Sequence, residues 1–284
     1  MSNIVIVGYG KMGQMIESAA RTRGVNIAGI VDPVAKSDKF YVAETLQDAR
    51  DMYRGDGHPL FHQTVAIDFT EPKNAMENIK FYCDNGIDCV IGTTGDWRVG
   101  DNLKKVRDMV EKAEINMVHA PNFDTGVQIF MQNVHDVAMK LDKVGGYKVK
   151  KMIEIHHLTK KDPSGTGTLI CMDIVNNGFL GKTEFMVKRE GDGQRAKPHQ
   201  MVMEVVRRPD VPGTHIITFQ SKAGHKIVMK HVAGDRTGFA NGALDAAEFI
   251  AGNPFSGGQM IDYADLVAQR FTPVVQRELG IGAR

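Results

Sequence analysis

A short apolar run followed by closely spaced glycines constrains the fold of this chain more than any other feature. Residues 4–7 are Ile-Val-Ile-Val, which is typical of a strand buried on both faces of a parallel sheet. Three glycines lie among the next six residues: Gly8, Tyr9, Gly10, Lys11, Met12 and Gly13. Apolar residues at helical spacing then follow from Met15 to Ala20. The pattern predicts a strand, a tight turn and a helix.

The order G-x-G-x-x-G in this setting predicts a dinucleotide site. Such glycines allow the tight turn, the close approach of a pyrophosphate, and the packing of helix on strand. A second apolar run, residues 27–31, ends at Asp32, about twenty residues after the turn, where a carboxylate holds the adenosine ribose hydroxyls. Because Asp32 repels a 2′-phosphate, we expect NADH to be preferred; Lys11 offsets part of the repulsion, so NADPH is tolerated.

Three further runs predict more strands of the same parallel sheet, at residues 65–70, 89–91 and 117–119. Each ends in or is followed by small or polar residues, which parallel strands place together at one edge of the sheet. These residues include Asp68, Thr70, Gly92, Thr93, Thr94, Ala120, Pro121, Asn122 and Phe123. Between the second and third runs, residues 41–52 are expected to form a helix.

The stretch with the most reactive side chains lies at mid-chain, from Glu154 to Thr166. Residues 147–155 alternate as a strand does, and the apolar pattern after Leu169 is helical, so the stretch is a predicted strand-to-helix loop. His156 and His157 can act on one ligand only if the strand ends there, because successive strand residues point to opposite faces.

The end of this loop predicts an anion site. Pro163 keeps the preceding residue out of the helical region, and Ser164 is a suitable N-cap. The backbone N–H groups of the next three residues, Gly165, Thr166 and Gly167, then open the helix, and such an end binds carboxylate or phosphate.

Two imidazoles and two ammonium groups, those of Lys160 and Lys161, lie close to that helix end in sequence. The combination predicts a pocket for a small acidic substrate with a proton donor beside it. A zinc site is disfavoured, because no Cys and no further His falls at ligand spacing. We therefore expect no metal.

Composition limits the class of protein. The 284 residues are 42% apolar and 24% charged, which suits two soluble domains of ordinary size. The net charge of +1 provides no field for nucleic acid or a membrane surface. No apolar run reaches the length of a membrane span, and the N-terminus enters a strand without a leader, so we expect a cytoplasmic protein. Cys83, Cys89 and Cys171 lack C-x-x-C spacing and are predicted to be reduced and buried.

The hydrophobic pattern changes after Gly145, from strand–helix repeats to alternating runs. Alternating runs at residues 201–206, 215–220 and 226–231 are separated by Gly and Pro, which indicates an α+β domain with an open mixed sheet. The predicted fold class is thus α/β: a Rossmann-like parallel sheet followed by this second domain. The expected boundaries are 1–125 for dinucleotide binding, 126–238 for substrate binding and oligomerisation, and 239–284 for a return to the first domain.

The central stretch resembles the motif E-x-H-H-x-x-K-x-D-A-P-S-G-T of the 4-hydroxy-tetrahydrodipicolinate reductases, also called dihydrodipicolinate reductases. Four other family motifs occur in the same order: K-M-G at 11–13, D-F-T with G-T-T-G at 68–70 and 92–95, A-x-N-F at 120–123, and R-x-x-F-A-x-G-A at 236–243. The chain departs from the family in having Leu158 for Arg, no Ala before Pro163, and Gly167 for Ala. The His-to-Lys spacing favours Lys160, with Lys161 as a competitor.

The resemblance implies reduction of 4-hydroxy-tetrahydrodipicolinate to tetrahydrodipicolinate by NADH or NADPH, in lysine and diaminopimelate biosynthesis. It implies that His156 is the general acid and Lys160 the second proton donor. The implied carboxylate-binding residues are His157, Ser164, Gly165 and Thr166. By the same resemblance, Gly92, Thr93, Thr94 and residues 120–123 face the nicotinamide half of the cofactor, and the protein is a homotetramer built through its second domain.

Two alternatives remain at this point. A related amino-acid or imine dehydrogenase, such as a diaminopentanoate dehydrogenase, has the same architecture, but a substrate without a second carboxylate does not need the anion site. A cofactor-binding regulator without catalysis predicts NADH binding with no turnover, and the proton donors His156 and Lys160 argue against it.

Overall fold

Apolar runs separated by amphipathic helices give the chain two sheets. The computed structural model describes residues 3–55, 57–193, 195–252 and 257–269. Its strands are β1 (Asn3–Val7), β2 (Asn26–Val31), β3 (Tyr41–Ala43), β4 (Thr64–Asp68), β5 (Cys89–Ile91), β6 (Asn116–His119), β7 (Tyr147–His156), β8 (Glu184–Arg189), β9 (Gln200–Arg207), β10 (Gly213–Ser221), β11 (Lys226–Ala233) and β12 (Gln259–Asp262).

The α-helices are α1 (Lys11–Arg23), α2 (Leu46–Asp51), α3 (Ala75–Asp84), α4 (Asp101–Ala113), α5 (Thr125–Val144), α6 (Gly165–Asn176) and α7 (Thr237–Gly252). Short 3-10 turns cover Pro72–Asn74, Asp96–Arg98 and Phe179–Gly181. The described residues form two compact units, one within residues 3–125 and 237–269 and the other within residues 126–236. No described helix is long and apolar enough to span a membrane.

The first unit is built on a seven-stranded parallel sheet in the order β12-β6-β5-β4-β1-β2-β3. Its central strands are apolar throughout because both faces are covered, and Ile4, Ile6 and Ile67 are fully buried. This sheet places the carboxyl ends of β1, β2, β4, β5 and β6 at one edge, where ligands of such sheets bind.

The second unit has a five-stranded mixed sheet in the order β11-β10-β7-β9-β8. β7 and β8 run parallel to β9, and β10 runs antiparallel to both β7 and β11. One face packs on α5 and α6 through a core that includes Phe130, Ile170, Met203 and Ile217. The opposite face carries residues such as Val228, which is 57% exposed.

The predicted fold class is confirmed, with a Rossmann-like parallel sheet and a second, mixed sheet. Each predicted strand occurs, with its ends within two residues of the predicted ones. Cys89 and Cys171 are buried thiols, as predicted, whereas Cys83 is half-buried; none forms a disulfide in the part of the chain described. The sequence predicts that the tail of residues 263–279 packs on the first domain. Within its described part Tyr263, Leu266 and Val267 are buried, and Tyr263 contacts Phe123; residues 270–279 lie outside the described residues.

The prediction of one helix over residues 41–52 is wrong. Residues 41–43 pair with β2 as strand β3, and α2 begins only at Leu46. The Thr45 hydroxyl accepts from the Asp48 N–H at 3.1 Å, and the Asp48 carboxylate accepts from the Thr45 N–H at 3.2 Å. This reciprocal capping box sets the start of the helix. The short outer strands β8 and β12 and helix α4 were not anticipated.

Candidate functional site

The glycine-rich turn after β1 has the geometry of a phosphate-binding loop. Gly8 has φ +85°, and a Cβ there would lie 2.6 Å from the Phe69 carbonyl oxygen. A Cβ on Gly13 would lie 2.2 Å from the Gly8 carbonyl oxygen, whereas a Cβ on Gly10 would meet nothing within 4 Å. Packing therefore requires the first and third glycines. The second leaves open space beside the backbone, where a pyrophosphate can approach.

A cleft of about 790 Å³ opens beside this turn. Three of the predicted cofactor residues, Gly8, Gly10 and Asp32, line it together with Glu44. A second hollow of about 440 Å³ also includes Gly10 in its lining. The other predicted residues that line this hollow are Lys11, Met12, Gly92, Thr93 and Thr94. The sheet edge thus gathers eight predicted cofactor residues from β1, β2 and β5.

The Asp32 carboxylate lines the cleft and also hydrogen-bonds the backbone of the loops around it. One oxygen accepts from the Val34 and Ala35 N–H groups at 2.9 Å, and the other accepts from the Tyr9 N–H at 2.8 Å. Asp32 therefore fixes both its own loop and the glycine-rich turn. The Tyr9 hydroxyl donates to Glu17 on α1. Burial and this contact raise the pKa of Tyr9 to about 12.

A buried carboxylate also joins β4 to β5. Asp68 is fully buried and accepts from the Thr70 N–H at 3.0 Å, the Tyr82 hydroxyl at 2.9 Å and the Thr93 hydroxyl at 3.0 Å. The Thr93 hydroxyl is therefore engaged inside the protein. Gly92 lies against the Phe69 ring, where a Cβ would come within 2.2 Å. Phe69 had no predicted role, since no residue type in its sequence neighbourhood signals this contact.

Residues 120–123 follow β6 at the same edge. Ala120, Asn122 and Phe123 are buried, and the Asn122 side-chain oxygen accepts from the Asp124 N–H at 2.8 Å. The Phe123 ring lies 4.9 Å from Tyr263. These side chains and the exposed Pro121 line neither hollow. They lie near Gly92 through the pairing of β6 with β5 and through the Phe123 ring, which is 6.0 Å from the Phe69 ring.

His119, the last residue of β6, belongs to a cluster not anticipated from the sequence. Its Nδ1 lies 2.9 Å from the Arg98 guanidinium, and its ring meets Trp97 edge-on at 5.6 Å. Burial, with the positive charge of Arg98, lowers the pKa of His119 to about 3. The imidazole is therefore neutral and accepts from Arg98.

The mid-chain stretch in the second unit has the predicted strand, loop and helix. β7 ends at His156, which meets the condition for both histidines to serve one site. Ser164 caps α6, as predicted: its hydroxyl accepts from the Gly167 N–H at 2.9 Å. That bond removes Gly167 from the three N–H groups expected to be open to an anion. The Ser164 side chain is itself buried and contacts His215 at 2.9 Å.

A hydrogen bond from Nδ1 to a backbone carbonyl orients the His156 ring. Because a carbonyl can only accept, its Nδ1–H donates to the Pro212 oxygen at 2.8 Å. Nε2 has no hydrogen-bond partner among the residues described. Burial lowers the pKa of His156, and Lys160 and Arg207 lower it further, while the Pro212 carbonyl and Glu154 act to raise it. The neutral ring thus keeps a buried Nε2 without a partner among the described residues.

Glu154 is a residue whose role the motif alone did not reveal. It is fully buried, accepts from the Ser164 N–H at 2.7 Å and pairs with Arg207 at 3.1 Å. Burial by itself raises the pKa of Glu154, but the hydrogen bonds from Ser164 and Arg207 outweigh it and lower the pKa below its usual value. Glu154 is therefore an ionised internal acceptor.

A histidine distant in sequence also reaches this site, because the fold adds His215 from β10. Ligand spacing along the chain does not reveal it. One potential ligand atom from each of Glu154, His156 and His215 lies within 4.8 Å of the others. Burial lowers the pKa of His215 to about 4, so this ring is neutral. However, the Arg207 guanidinium beside Glu154 opposes a cation. The absence of a metal stays a prediction.

The remaining predicted residues lie on the loop. The Nδ1 of His157 is 2.8 Å from the Thr159 hydroxyl, and the Lys160 N–H donates to the His157 carbonyl at 3.2 Å. Lys160 is half-buried whereas Lys161 is exposed. The loop therefore gathers His157 and Lys160 beside His156 and the start of α6. Because Lys160 is the more buried of the two lysines, it is the better candidate for the second proton donor.

Comparisons with known proteins give a consistent result. Models for "Dihydrodipicolinate reductase" match residues 2–123 (N-terminus) and 126–266 (C-terminus). The 4-hydroxy-tetrahydrodipicolinate reductase of Christiangramia forsetii is 34% identical over 87% of this chain and 92% of its own length. The corresponding protein of an Anaeromyxobacter species is 30% identical over 95% and 99%.

Solved structures share the fold. The dipicolinate-bound dihydrodipicolinate reductase from Paenisporosarcina sp. TG-14 is similar at a TM-score of 0.72 and 21% identity, covering 92% of this chain and 97% of its own. An amine dehydrogenase from Mycobacterium smegmatis reaches a TM-score of 0.55 at 11% identity, covering 89% and 93%.

The glycine geometry predicts different results for two similar substitutions. Gly10→Ala should leave the melting temperature unchanged, because its Cβ meets no atom, but should weaken NADH binding at least about tenfold by blocking phosphate approach. Gly13→Ala should lower the melting temperature, because its Cβ overlaps the Gly8 carbonyl. Fluorescence titration with NADH and thermal unfolding measure both. Unchanged NADH affinity in Gly10→Ala would place the phosphates elsewhere.

Proposed function

Because the chain belongs to the dihydrodipicolinate reductase family, we propose that it reduces 4-hydroxy-tetrahydrodipicolinate to tetrahydrodipicolinate with NADH or NADPH, in lysine and diaminopimelate biosynthesis. The resemblance found in the motifs is confirmed by the family models and by relatives 30–34% identical over most of the chain. The observation that carries the proposal is the buried, unpartnered Nε2 of His156, in a cluster with Glu154 and His215 that contacts the N-cap Ser164 of α6.

The first unit provides the cofactor's binding groups. The open space at Gly10 and the two hollows beside it fit a dinucleotide pyrophosphate, and the cofactor supplies the hydride when bound. We assign the adenosine ribose to Asp32 and the phosphates to residues 8–13. Gly92, Thr94 and residues 120–123 serve the nicotinamide half through backbone groups, and Thr93 acts mainly by holding the strand ends together.

The reduction consumes one hydride and one proton and releases the 4-hydroxyl as water. We assign the proton donor to Nε2 of His156, since Nδ1 is already engaged with Pro212. The charged imidazolium must form although burial lowers the pKa of His156. A substrate with two carboxylates brings negative charge to this nitrogen and favours its protonated form. Binding of the dicarboxylate is therefore coupled to uptake of a proton.

The loop and helix end hold the substrate's carboxylate. His157, Gly165 and Thr166 are the proposed contacts, with the Lys160 ammonium stabilising charge. Ser164 contributes indirectly, because its hydroxyl and N–H are already engaged with Gly167, His215 and Glu154. It orients the start of α6 on which the carboxylate rests.

The alternatives are weaker on the same observations. The similarity to an amine dehydrogenase at 11% identity shows a shared fold only. A regulator without turnover has no use for a buried imidazole with one nitrogen free. Turnover of the imine dicarboxylate separates both alternatives from the main proposal.

The cofactor preference follows from charge at the ribose end of the cleft. Asp32 and Glu44 both line it, and two carboxylates repel a 2′-phosphate more than one does. Lys11 lies in the smaller hollow and offsets part of this repulsion. We propose that NADH is preferred and NADPH tolerated.

We also propose that the exposed face of the second sheet carries the contacts of a homotetramer. Apolar side chains on this face include Val228 and Val232, 57% and 59% exposed, on edge strand β11. A row of exposed valines beside unpaired strand groups favours association with another copy. A cytoplasmic location stays a prediction that the proposed biosynthetic role favours.

Loss of the proton donor should abolish both turnover and proton uptake. In His156→Gln, kcat/KM for 4-hydroxy-tetrahydrodipicolinate should fall at least about a hundredfold, because proton transfer is removed. Calorimetric binding of pyridine-2,6-dicarboxylate in buffers of different ionisation enthalpy should show proton uptake in the wild type but not in His156→Gln. The wild-type affinity should weaken as pH rises.

The matched control is His225→Gln, which alters an exposed imidazole in a loop of the same unit. It should keep wild-type turnover and proton uptake. Wild-type kcat/KM in His156→Gln would assign the donor to another group, with Lys160 the next candidate. NADH binding without any wild-type turnover would favour the non-catalytic alternative.

Removing one carboxylate from the ribose end should shift the cofactor preference. Glu44→Gln should raise kcat/KM for NADPH several-fold and leave the value for NADH unchanged, because only the 2′-phosphate senses the lost charge. Glu44 has an exposed side chain, so the fold is retained. Parallel steady-state assays with the two cofactors measure the ratio. An equal change with both cofactors contradicts this assignment.

A charge on the exposed valine face should reduce the oligomer. Val228→Lys should convert tetramers to smaller species in light scattering, since the lysine is desolvated if the face is buried. Val34→Lys is the matched control, because Val34 is 83% exposed in the first unit. A tetramer that survives Val228→Lys would place the contacts on another surface.

A further inference from the structure

We infer that Arg207, the last residue of β9, is a positioning residue that ties the loop of residues 157–164 to the second sheet. Through this tie it places Lys160 and the start of α6. The inference deepens the proposed function, and it rests on that function only where a change in turnover is expected.

The Arg207 guanidinium reaches the loop at two backbone carbonyls. Its Nε donates to the Lys160 oxygen at 2.8 Å, and its Nη2 donates to the Asp162 oxygen at 2.9 Å. A guanidinium holds five N–H donors in a rigid plane, so two bonds on one side fix the loop's distance and orientation together. Lysine, with a single flexible ammonium, has no such geometry.

The same side chain links the loop to a buried charge. Nη1 of Arg207 donates to Glu154 at 3.1 Å, and the other Glu154 oxygen accepts from the Ser164 N–H at 2.7 Å. Arg207 and Glu154 thus hold the loop at three points, residues 160, 162 and 164. Since Glu154 is fully buried, its charge depends on these donors.

Contacts inside the loop shape it without tying it to the sheet. The Lys160 N–H donates to the His157 carbonyl at 3.2 Å, and His157 contacts the Thr159 hydroxyl. Leu158 is 63% exposed, so it adds little packing. The loop is also one residue shorter than the family motif. The position of Lys160 therefore depends on the bonds from Arg207.

The neighbouring arginine provides a matched control. Arg208 is adjacent in sequence, but its guanidinium makes a two-bond pair with Glu190 at 2.7 Å, with half of each side chain exposed. Arg208 lies just beyond the end of β9, and its side chain contacts Glu190 instead of the loop. Arg208→Gln removes one charge and one ion pair without touching the loop.

The test compares amide hydrogen exchange of residues 157–166 in the wild type, Arg207→Gln, Arg207→Lys and Arg208→Gln. Exchange of this segment should rise at least about tenfold in both Arg207 variants, with β7 and β9 still protected, and should stay at the wild-type rate in Arg208→Gln. Arg207→Lys should behave as Arg207→Gln does, because charge alone does not replace the two carbonyl bonds. Wild-type exchange in Arg207→Lys would overturn the positioning role.

Ligand measurements give a second readout. The dissociation constant of pyridine-2,6-dicarboxylate should rise at least about tenfold in Arg207→Gln, while NADH affinity stays unchanged. The kcat/KM for the imine substrate should fall at least as much. An equal loss of NADH affinity would indicate general unfolding and contradict a positioning role. If the wild type shows no turnover but the exchange pattern holds, the proposed function fails and the role of Arg207 stands.

Should Arg207→Gln not fold because Glu154 is left unpaired, the double variant Arg207→Gln/Glu154→Gln removes that charge. The amide introduced by Glu154→Gln keeps an oxygen that accepts from the Ser164 N–H, so only the bonds from residue 207 to the loop are lost. Faster loop exchange in the double variant supports the inference. Wild-type loop exchange there overturns it.

Discussion

The fully buried carboxylate of Glu154 is the group on which the second unit's site depends. An ionised carboxylate inside a protein needs donors, and this one takes the Ser164 N–H and the Arg207 guanidinium. The first contact sets where α6 begins, and the second brings in the side chain that binds the loop carbonyls. The free nitrogen of His156, the half-buried Lys160 and the start of α6 are thereby held around one internal charge.

Carboxylates organise the first unit in the same way. Asp32 fixes the glycine-rich turn through the Tyr9 N–H, and Asp68 joins the ends of β4 and β5 through Thr70 and Thr93. Polar side chains in a ligand motif therefore often make their hydrogen bonds to other groups of the protein. The groups left for a ligand are largely backbone N–H groups and the space beside glycine, which explains why Thr93 and Ser164 are buried although the motifs suggested direct contact.

Local patterns predicted the fold well, and long-range contacts explain what they missed. Hydrophobic periodicity located the strands and the loop after β7. A strand buried on both faces is a continuous apolar run, and a strand buried on one face alternates apolar and polar residues. Arg207 and His215 come from other strands, and nothing near them in sequence points to Glu154 or His156. Adjacent Arg207 and Arg208 look alike in the sequence, yet only one enters the site. The helix expected at 41–52 is wrong because Tyr41 and Val42 favour a strand and pair with β2, and the Thr45 capping box starts the helix only at Leu46.

The charges of this site act on substrate and proton donor in opposite directions. In the proposed reaction Lys160 and Arg207 attract the substrate's carboxylates. The same positive charges act together with burial to lower the pKa of His156 and oppose its protonation. Glu154 offsets part of that effect, and its ion pair with Arg207 at 3.1 Å compensates its charge toward the substrate. The substrate's own carboxylates supply the remaining negative charge. In the proposed reaction His156 is protonated chiefly when the substrate is present, so anion binding and proton uptake form one coupled step.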